Sequence, residues 1–236
     1  MNTIKTATIA ACFSVTAQQL IEKLIASGTR VVAFGRIGDE VRAQKLEEKY
    51  SGHLTVLLGD LTDEKQSQAL AIKASEVLGH IDAHFHCSGI YTWSHWTDVE
   101  ISKMVELWNA NFMTAFVFGR EVFKLMEEQG AGSLMFVSAR DTVRNIPAGF
   151  GPYMASKMAL NALIESLAAE GAPSNIQVNA VLPTIVDTEV NRKALPDADH
   201  TTWVAPSDLA ELMIELAQPN KVYLSGSLIT VNNKMH

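Results

Sequence analysis

The sequence contains few of the residues that mark a disulfide-rich or a nucleic-acid-binding protein. Only two of its 236 residues are cysteines, Cys12 and Cys87, and two cysteines cannot build a disulfide framework. The 19 basic residues are outnumbered by 26 acidic ones, and the formal net charge of -7 argues against a basic nucleic-acid-binding face. No apolar run reaches the ~18 residues that a membrane span requires, and the N-terminus lacks the apolar segment of a signal peptide. We therefore expect a cytoplasmic protein that binds neither nucleic acid nor membrane.

Short apolar runs alternate with longer helical patterns along the whole chain. Near-continuous apolar runs are typical of strands that are buried on both faces of a parallel sheet. The predicted strands are Ala7–Ala10, Arg30–Phe34, His53–Leu58, Ile81–His86, Ser133–Ser138, Ile176–Leu182 and Ser227–Val231. The predicted helices are Ala17–Ser27, Asp39–Lys49, Asp63–Leu78, Ser102–Glu128, Tyr153–Glu170 and Ser207–Ala217. This alternation predicts an α/β fold in a single domain over residues 1–236, with a doubly wound seven-stranded parallel sheet and helices on both faces.

One connection is long for such a fold. Residues 184–205, between the sixth strand and the last helix, show no regular pattern, and long connections in compact domains are usually functional. Ligands of doubly wound sheets bind beyond the carboxyl ends of the strands. We therefore expect residues 184–205 to form a substrate loop.

Tyr153 and Lys157 carry the strongest chemical signal. They are four residues apart at the start of a predicted helix and therefore share a face. A nearby ammonium group lowers the pKa of a tyrosine, which can then exchange a proton with a carbonyl or alcohol oxygen. A surface tyrosine and a solvated lysine have the same spacing, so the pair alone does not establish an active site.

The motifs around this pair resemble the short-chain dehydrogenase/reductase family over nearly the whole chain. The resemblance implies a Rossmann-type fold, with Tyr153 as the general acid and base. Lys157 is then expected to lower the pKa of Tyr153 and to hold the nicotinamide ribose. Asn111, in the run Asn-Ala-Asn-Phe, matches the asparagine that supports a proton-relay water.

Further motifs match the family's cofactor-binding positions. Asp60 and Leu61, in Gly-Asp-Leu-Thr, match the position near the adenine ring, and Gly89 matches the motif after the fourth strand. Pro183 and Thr188 match the loop that holds the nicotinamide carboxamide.

The C-terminal third is similar to the dihydropteridine reductase branch of this family. The similarity lies in Asp187–Asp199, in Trp203 and in the run that begins at Ser225. It implies a carbonyl or imine substrate, with a pterin-like ring as one option. Trp93 and Trp203 are candidate stacking faces for such a ring, and hydrophobic packing is their alternative role.

The sequence departs from the family at the first loop. The three expected glycines are replaced by Ala11, Val15 and Ala17, whose Cβ atoms hinder left-handed backbone and close phosphate approach. Arg36, after the second strand, suits the 2′-phosphate of NADP, and Ser14 offers a hydroxyl to a phosphate. We therefore expect NADP(H) in preference to NAD(H), or else no dinucleotide.

The family's catalytic serine is also not in its usual place. In the family this serine usually lies thirteen residues before the tyrosine, and that position is Arg140 here. The nearest hydroxyl belongs to Ser138, fifteen residues before Tyr153. With a short insertion in the loop, Ser138 polarises the substrate oxygen; without one, Ala139 or Arg140 occupies the place. Arg140 is a candidate substrate contact, or alternatively a solvated charge.

Three functions remain open from the sequence. The favoured one is an NADP(H)-dependent reductase. The second is a cofactor-free lyase of the halohydrin dehalogenase type. Thr8 and Phe13 of this chain have the spacing of a threonine and an aromatic residue in the first loop of those enzymes, which they therefore resemble. The third is a non-catalytic binding subunit. His84 and His86 lack a third ligand, so we expect no metal site. The apolar long helices suggest a homodimer or homotetramer.

Overall fold

The computed structural model describes residues 3–221 and 223–234, which contain one seven-stranded parallel sheet. Its strand order is β3-β2-β1-β4-β5-β6-β7, which confirms the predicted doubly wound α/β fold. The strands are β1 (Thr6–Ala10), β2 (Arg30–Gly35), β3 (Leu54–Leu58), β4 (Ala83–His86), β5 (Gly132–Val137), β6 (Ile176–Pro183) and β7 (Leu228–Val231). Every residue of β1 and β6 is buried, including the polar Thr8, Gln177 and Asn179, and burial on both faces explains why most residues of these strands are apolar.

Eight helices flank the sheet in the described part of the chain. They are α1 (Val15–Ala26), α2 (Glu40–Lys49), α3 (Glu64–Leu78), α4 (Ile101–Trp108), α5 (Thr114–Gln129), α6 (Gly151–Gly171), α7 (Glu189–Ala194) and α8 (Pro206–Leu216). The long helix predicted over Ser102–Glu128 is divided by a π-helical turn, Asn109–Met113. The predicted substrate loop contains the short helix α7.

Each face of the sheet has its own hydrophobic core. Side chains of α3, α5 and α6 cover one face, where Phe34, Phe118 and Phe136 are fully buried. Side chains of α1 and α8 cover the other face around Phe85. No helix within the described ranges is long and apolar enough to cross a membrane.

The substrate loop is tied together at its base. Val186 and Val204 form an isolated parallel bridge, in which the Asp187 amide donates to the Val204 carbonyl at 2.8 Å. The bridge holds the start and the end of the loop beside the sheet, so that α7 lies over the carboxyl end of β6.

Candidate active site

Two cavities adjoin at the carboxyl ends of the strands. The first cavity has a volume of about 690 Å³ and is lined from the ends of β1, β2 and β3. The second cavity, of about 900 Å³, lies between the start of α6 and the substrate loop. The segment 87–90 lines both cavities. Ligands in the two cavities therefore meet at this segment.

Lys157 and Tyr153 lie where the cavities meet. Both line the second cavity from the first two turns of α6. Lys157 is 4% exposed, and its Nζ donates to the Val137 carbonyl oxygen at 2.8 Å. Burial lowers the pKa of Lys157 to about 8 because the charged form is desolvated.

The pKa of Tyr153 is raised rather than lowered. Burial of the phenol is the main cause, followed by the negative charge of Asp141 and by Tyr91. Lys157 does not contribute to this shift, since the lysine directs its Nζ to a backbone carbonyl. Its predicted lowering of the Tyr153 pKa stays a prediction for the complex with a cofactor. Tyr153 is consequently a protonated phenol near neutral pH, which suits a general acid.

Asn111 is fully buried in the π-helical turn and joins three parts of the site. Its Oδ1 accepts a hydrogen bond from the Ile90 amide, and its Nδ2 donates to the Ile90 carbonyl and to Ser156 Oγ, each at 2.9 Å. A Cβ at Gly89 would lie 2.8 Å from Asn111 Oδ1 and 3.0 Å from Lys157 Nζ. Gly89 is therefore required for this close packing.

Ser138 is committed to a structural hydrogen bond. The hydroxyl of Thr142 donates to the Ala139 carbonyl and accepts from Asn161 Nδ2, so Asn161 presents its Oδ1 to Ser138. Ser138 Oγ must then be the donor in its 2.6 Å bond to Asn161 Oδ1. The prediction that Ser138 polarises the substrate is contradicted by this geometry, because its proton is already used. Ala139, which also lines the second cavity, has no hydroxyl.

The first loop keeps an open path without glycines. Ala11 has a φ of 58°, so it adopts the left-handed conformation that glycine normally supplies. Val15 is 45% exposed and does not line either cavity among the described residues. Ser14 lines the first cavity and caps α1, with its Oγ accepting from the Ala17 amide at 3.3 Å. The missing glycines therefore do not close the first cavity.

Two arginines border the first cavity. Arg36 follows β2 as predicted, and Arg42 reaches the same cavity from α2. The Arg42 guanidinium lies 4.2 Å from the centre of the Phe13 ring and 3.0 Å from Asp39 Oδ1. Sequence reasoning missed Arg42, because its contact with Phe13 joins elements that are distant in the chain.

The other predicted cofactor residues lie in three places. Asp60 and Leu61 line the first cavity, where Asp60 Oδ1 accepts bonds from the amide and hydroxyl of Thr62. Pro183 lines the second cavity. Thr188 lines neither cavity; it caps α7 by accepting from the Asn191 amide at 3.2 Å, and its cofactor contact stays a prediction.

Only some of the predicted substrate residues line a cavity. Trp93 and Arg140 line the second cavity. Trp203 is 4% exposed, packs against His200 with ring centroids 4.4 Å apart, and lines neither cavity. Its predicted substrate contact is therefore wrong, and packing is its role. Tyr91 and Phe150 also line the second cavity and were not predicted.

A buried hydrogen-bond chain lies beneath the site. It links Thr8 Oγ1 to His84 Nδ1 at 2.9 Å, His84 Nε2 to His86 Nδ1 at 3.2 Å, and His86 Nε2 to Thr114 Oγ1 at 3.1 Å. Thr114 donates onward to the Ala110 carbonyl, so the chain has one direction and both imidazoles carry their proton on Nε2. Burial lowers the pKa of His84 to about 3 and that of His86 well below its usual range, so both are neutral. No group of three or more potential ligands that could hold a metal ion occurs among the described residues.

The first cavity fits a nicotinamide dinucleotide. The left-handed Ala11, the capped start of α1 and the glycine contact at Gly89 form a cradle for a pyrophosphate. Asp60 and Leu61 lie at the end that is distant from Tyr153, and Arg36 is next to them. This sheet, with a tyrosine and lysine where a nucleotide cavity meets a second cavity, defines an NAD(P)-dependent oxidoreductase.

Comparison with known proteins identifies the family. Residues 5–199 match the family model described as short chain dehydrogenase, and the chain belongs to that family. A 3alpha-hydroxysteroid dehydrogenase of Mediterraneibacter gnavus is 29% identical over 228 residues, which cover 90% of this chain and 89% of that protein. A 2,3-dihydroxy-2,3-dihydro-p-cumate dehydrogenase of Pseudomonas putida is 28% identical over 229 residues, covering 90% and 87%.

Solved structures share the fold. A gluconate 5-dehydrogenase from Burkholderia cenocepacia, in complex with NADP and tartrate, superposes with a TM-score of 0.87 at 20% identity, over 98% of this chain and 94% of that chain. A short-chain type dehydrogenase/reductase from Mycobacterium ulcerans has a TM-score of 0.90 at 19% identity, over 100% and 91%.

Proposed function

We propose that this protein is an NADP(H)-dependent reductase of a carbonyl or imine substrate, with Tyr153 as the general acid. The observation that carries the proposal is the shared segment 87–90, which joins the two cavities beside Tyr153 and Lys157. A cofactor in the first cavity and a substrate in the second then present their reacting atoms to each other within reach of the phenol.

The chemistry needs one hydride and one proton. Nicotinamide supplies the hydride when it is bound, and it is thereby oxidised. The substrate carbon accepts that hydride, the C=O or C=N π bond breaks, and the oxygen or nitrogen takes the proton of Tyr153. Lys157 would hold the ribose of a bound cofactor, and Asn111 fixes the segment that separates the cavities through its bond from the Ile90 amide. An imine of the pterin-like type needs less polarisation of its acceptor atom than a ketone, which agrees with the commitment of Ser138 to Asn161.

The preference for NADP(H) rests on charge. Arg36 and Arg42 border the cavity on the side of β2, where a ribose 2′-phosphate is expected. Asp39, the acidic residue nearest to Arg36 in the chain that lines this cavity, is paired with Arg42 at 3.0 Å. Thr8, which matches the first-loop threonine of the lyase alternative, is fully buried within β1 and bonded to His84. We therefore favour the reductase.

We also propose that two copies of the chain associate through α4 and α5. Phe112 stacks on Phe116 along this face and meets Trp108 with the ring planes tilted by 45°, and Phe116 is 40% exposed. Light scattering on the purified protein tests this, and a monomer at micromolar concentration would contradict it.

Calorimetric titration with NADPH and NADH tests the proposed function. We expect NADPH to bind more tightly by at least roughly tenfold, since a charge-assisted contact contributes about 1.5–3 kcal/mol. Loss of NADPH absorbance with a carbonyl substrate then shows turnover. Absence of binding to either dinucleotide would disprove the proposal.

A further inference from the structure

Three aromatic side chains form one side of the second cavity. Tyr91, Trp93 and Phe150 all line this cavity, and we call them the aromatic wall. The rings of Tyr91 and Phe150 are stacked, with centroids 6.4 Å apart and planes 22° apart. Tyr91 also meets Tyr153 edge to face at 6.2 Å. The aromatic wall therefore leads directly to the proton donor.

The aromatic wall is held in place by contacts between two loops. Trp93 Nε1 donates to the Ala148 carbonyl at 3.1 Å, and the Ser94 amide donates to the Gly149 carbonyl at 3.0 Å. Gly149 has a φ of 83°, and a Cβ at this position would collide with the Trp93 indole. Only glycine fits this contact, so the indole is pre-positioned beside the cavity although it is 63% exposed.

The cavity offers few charges to a substrate. Arg140 and Asp141 form an ion pair at 2.7 Å, and each side chain is about one-fifth exposed. Lys157 donates to a backbone carbonyl and lies 3.0 Å from the Cβ position of Gly89, in the segment that separates the cavities, where the proposed cofactor would occupy it. With Lys157 assigned to the cofactor, a charged substrate would find no other unpaired counter-charge among the described lining residues. The remaining lining is largely aliphatic and includes Ile90, Val137, Pro147, Met154, Ile185 and Leu195.

We propose that the substrate is an uncharged molecule with a flat ring system next to its reacting carbon, and that Trp93 and Phe150 determine this specificity. The inference rests on the proposed function and adds the substrate class to it. A cavity of about 900 Å³ holds two or more fused rings. Rings that stack on the aromatic wall present an adjacent ketone, or in reverse a secondary alcohol, to Tyr153. The ketone carbon gains the hydride and its oxygen gains the phenol proton, which gives the alcohol.

Three ketones of equal carbon count test the substrate class. They are 2-tetralone, which has an aromatic fused ring, 2-decanone, which is an open chain, and 9-oxodecanoate, which carries a carboxylate. We expect 2-tetralone to bind at least about tenfold more tightly than either of the others, both to the free protein and in the presence of NADP⁺, because only it stacks on the aromatic wall. We expect the same order for kcat/KM with NADPH.

Two variants test the residues. Trp93→Ala and Phe150→Ala should each weaken 2-tetralone binding by roughly threefold to tenfold and leave 2-decanone binding within twofold. Trp96→Ala is the matched control, because Trp96 is 79% exposed and lines neither cavity. It should change neither ligand's affinity.

The outcomes separate the two proposals. Tighter binding of 9-oxodecanoate or of 2-decanone overturns the ring inference, as does unchanged 2-tetralone affinity in both cavity variants. If the protein binds 2-tetralone on the aromatic wall but neither binds NADPH nor reduces any ketone, the ring inference is supported and the proposed reductase function is overturned. Because ring binding is measured as an affinity, it is decided without turnover.

Discussion

Lys157 Nζ donates a hydrogen bond to the carbonyl oxygen of Val137 at 2.8 Å, and this bond determines where the buried lysine points. Val137 is the last residue of β5, so the bond joins α6 to the carboxyl end of this strand, near the place where the two cavities meet. One neutral carbonyl does not offset the desolvation of an ammonium group. The pKa of Lys157 is consequently lowered to about 8.

This pKa predicts how stability depends on pH. Below about pH 8 the lysine is charged in both the folded and the unfolded chain, so the penalty of burying it is fully present. Between about pH 8 and pH 10.5 the unfolded chain binds more protons, and stability therefore rises with pH. The total gain is on the order of 3 kcal/mol. Urea unfolding of the wild type should show this rise relative to Lys157→Met, and parallel pH curves for the two proteins would contradict it.

Tyr153→Phe and Ser138→Ala separate catalysis from structure. Removal of the phenol hydroxyl should lower kcat by roughly 10²–10⁴-fold and leave NADPH affinity unchanged, because a general acid acts only in the reaction. Ser138→Ala should keep kcat within about threefold and cost roughly 1–2 kcal/mol of stability, since Asn161 Oδ1 loses its donor. Stopped-flow single turnovers and thermal unfolding measure both. A large loss of kcat in Ser138→Ala would restore the serine to the catalytic set.

The positions of the strands and of most helix ends could be predicted from the sequence to within about two residues. Strands that are buried on both faces leave a near-continuous apolar run, as at residues 31–34 of β2. The π-helical turn Asn109–Met113 was missed because it interrupts the hydrogen bonds without proline or glycine and keeps the apolar pattern. Helix α7 was missed because six residues are too few for a periodic signal.

Ala11 tests whether the first loop keeps the path of a glycine turn. An alanine in the left-handed conformation costs about 1–2 kcal/mol, while glycine loses about 0.5–1 kcal/mol more entropy on folding. Ala11→Gly should therefore stabilise the protein by up to about 1 kcal/mol. Ala10→Gly, the matched control in the regular strand β1, should destabilise it by about 1 kcal/mol. Chemical denaturation measures the free energy of unfolding of each variant. Equal destabilisation by both substitutions would show that Ala11 does not have the left-handed conformation.

The residues that the sequence misplaced depend on tertiary partners. Ser138 has the residue type for catalysis, but the orientation of Asn161 removes its proton. Trp203 has the ring for stacking, but its side chain is buried, and Asn233, which follows β7, donates to its carbonyl oxygen at 2.6 Å. No pattern within one segment reveals such partners, because the partner lies in another element.

Arg36 and Arg42 are expected to select NADPH. Arg36→Ala and Arg42→Ala should each weaken NADPH by roughly tenfold to a hundredfold and leave NADH within threefold, since only NADPH carries the 2′-phosphate. Lys45→Ala removes a positive charge from the same helix α2, outside both cavities, and should change neither affinity by more than twofold. Calorimetry at two salt concentrations provides the measurement. Equal losses for NADPH and NADH would place the arginines elsewhere on the dinucleotide.

The effects of substituting Thr8 and His84 on stability should be coupled, because a hydrogen bond joins these two fully buried side chains, which are in register on β1 and β4. Thr8→Val leaves His84 Nδ1 without a donor, and His84→Leu leaves both the Thr8 hydroxyl and His86 Nδ1 unpaired. Each unpaired buried group costs about 1–3 kcal/mol. The double variant leaves only His86 Nδ1 unpaired, which is two unpaired groups fewer than in the two single variants together, so its loss of stability should be smaller than the sum of the single losses by roughly 2–6 kcal/mol. Additive losses in urea unfolding would show that the two side chains do not share this bond in solution.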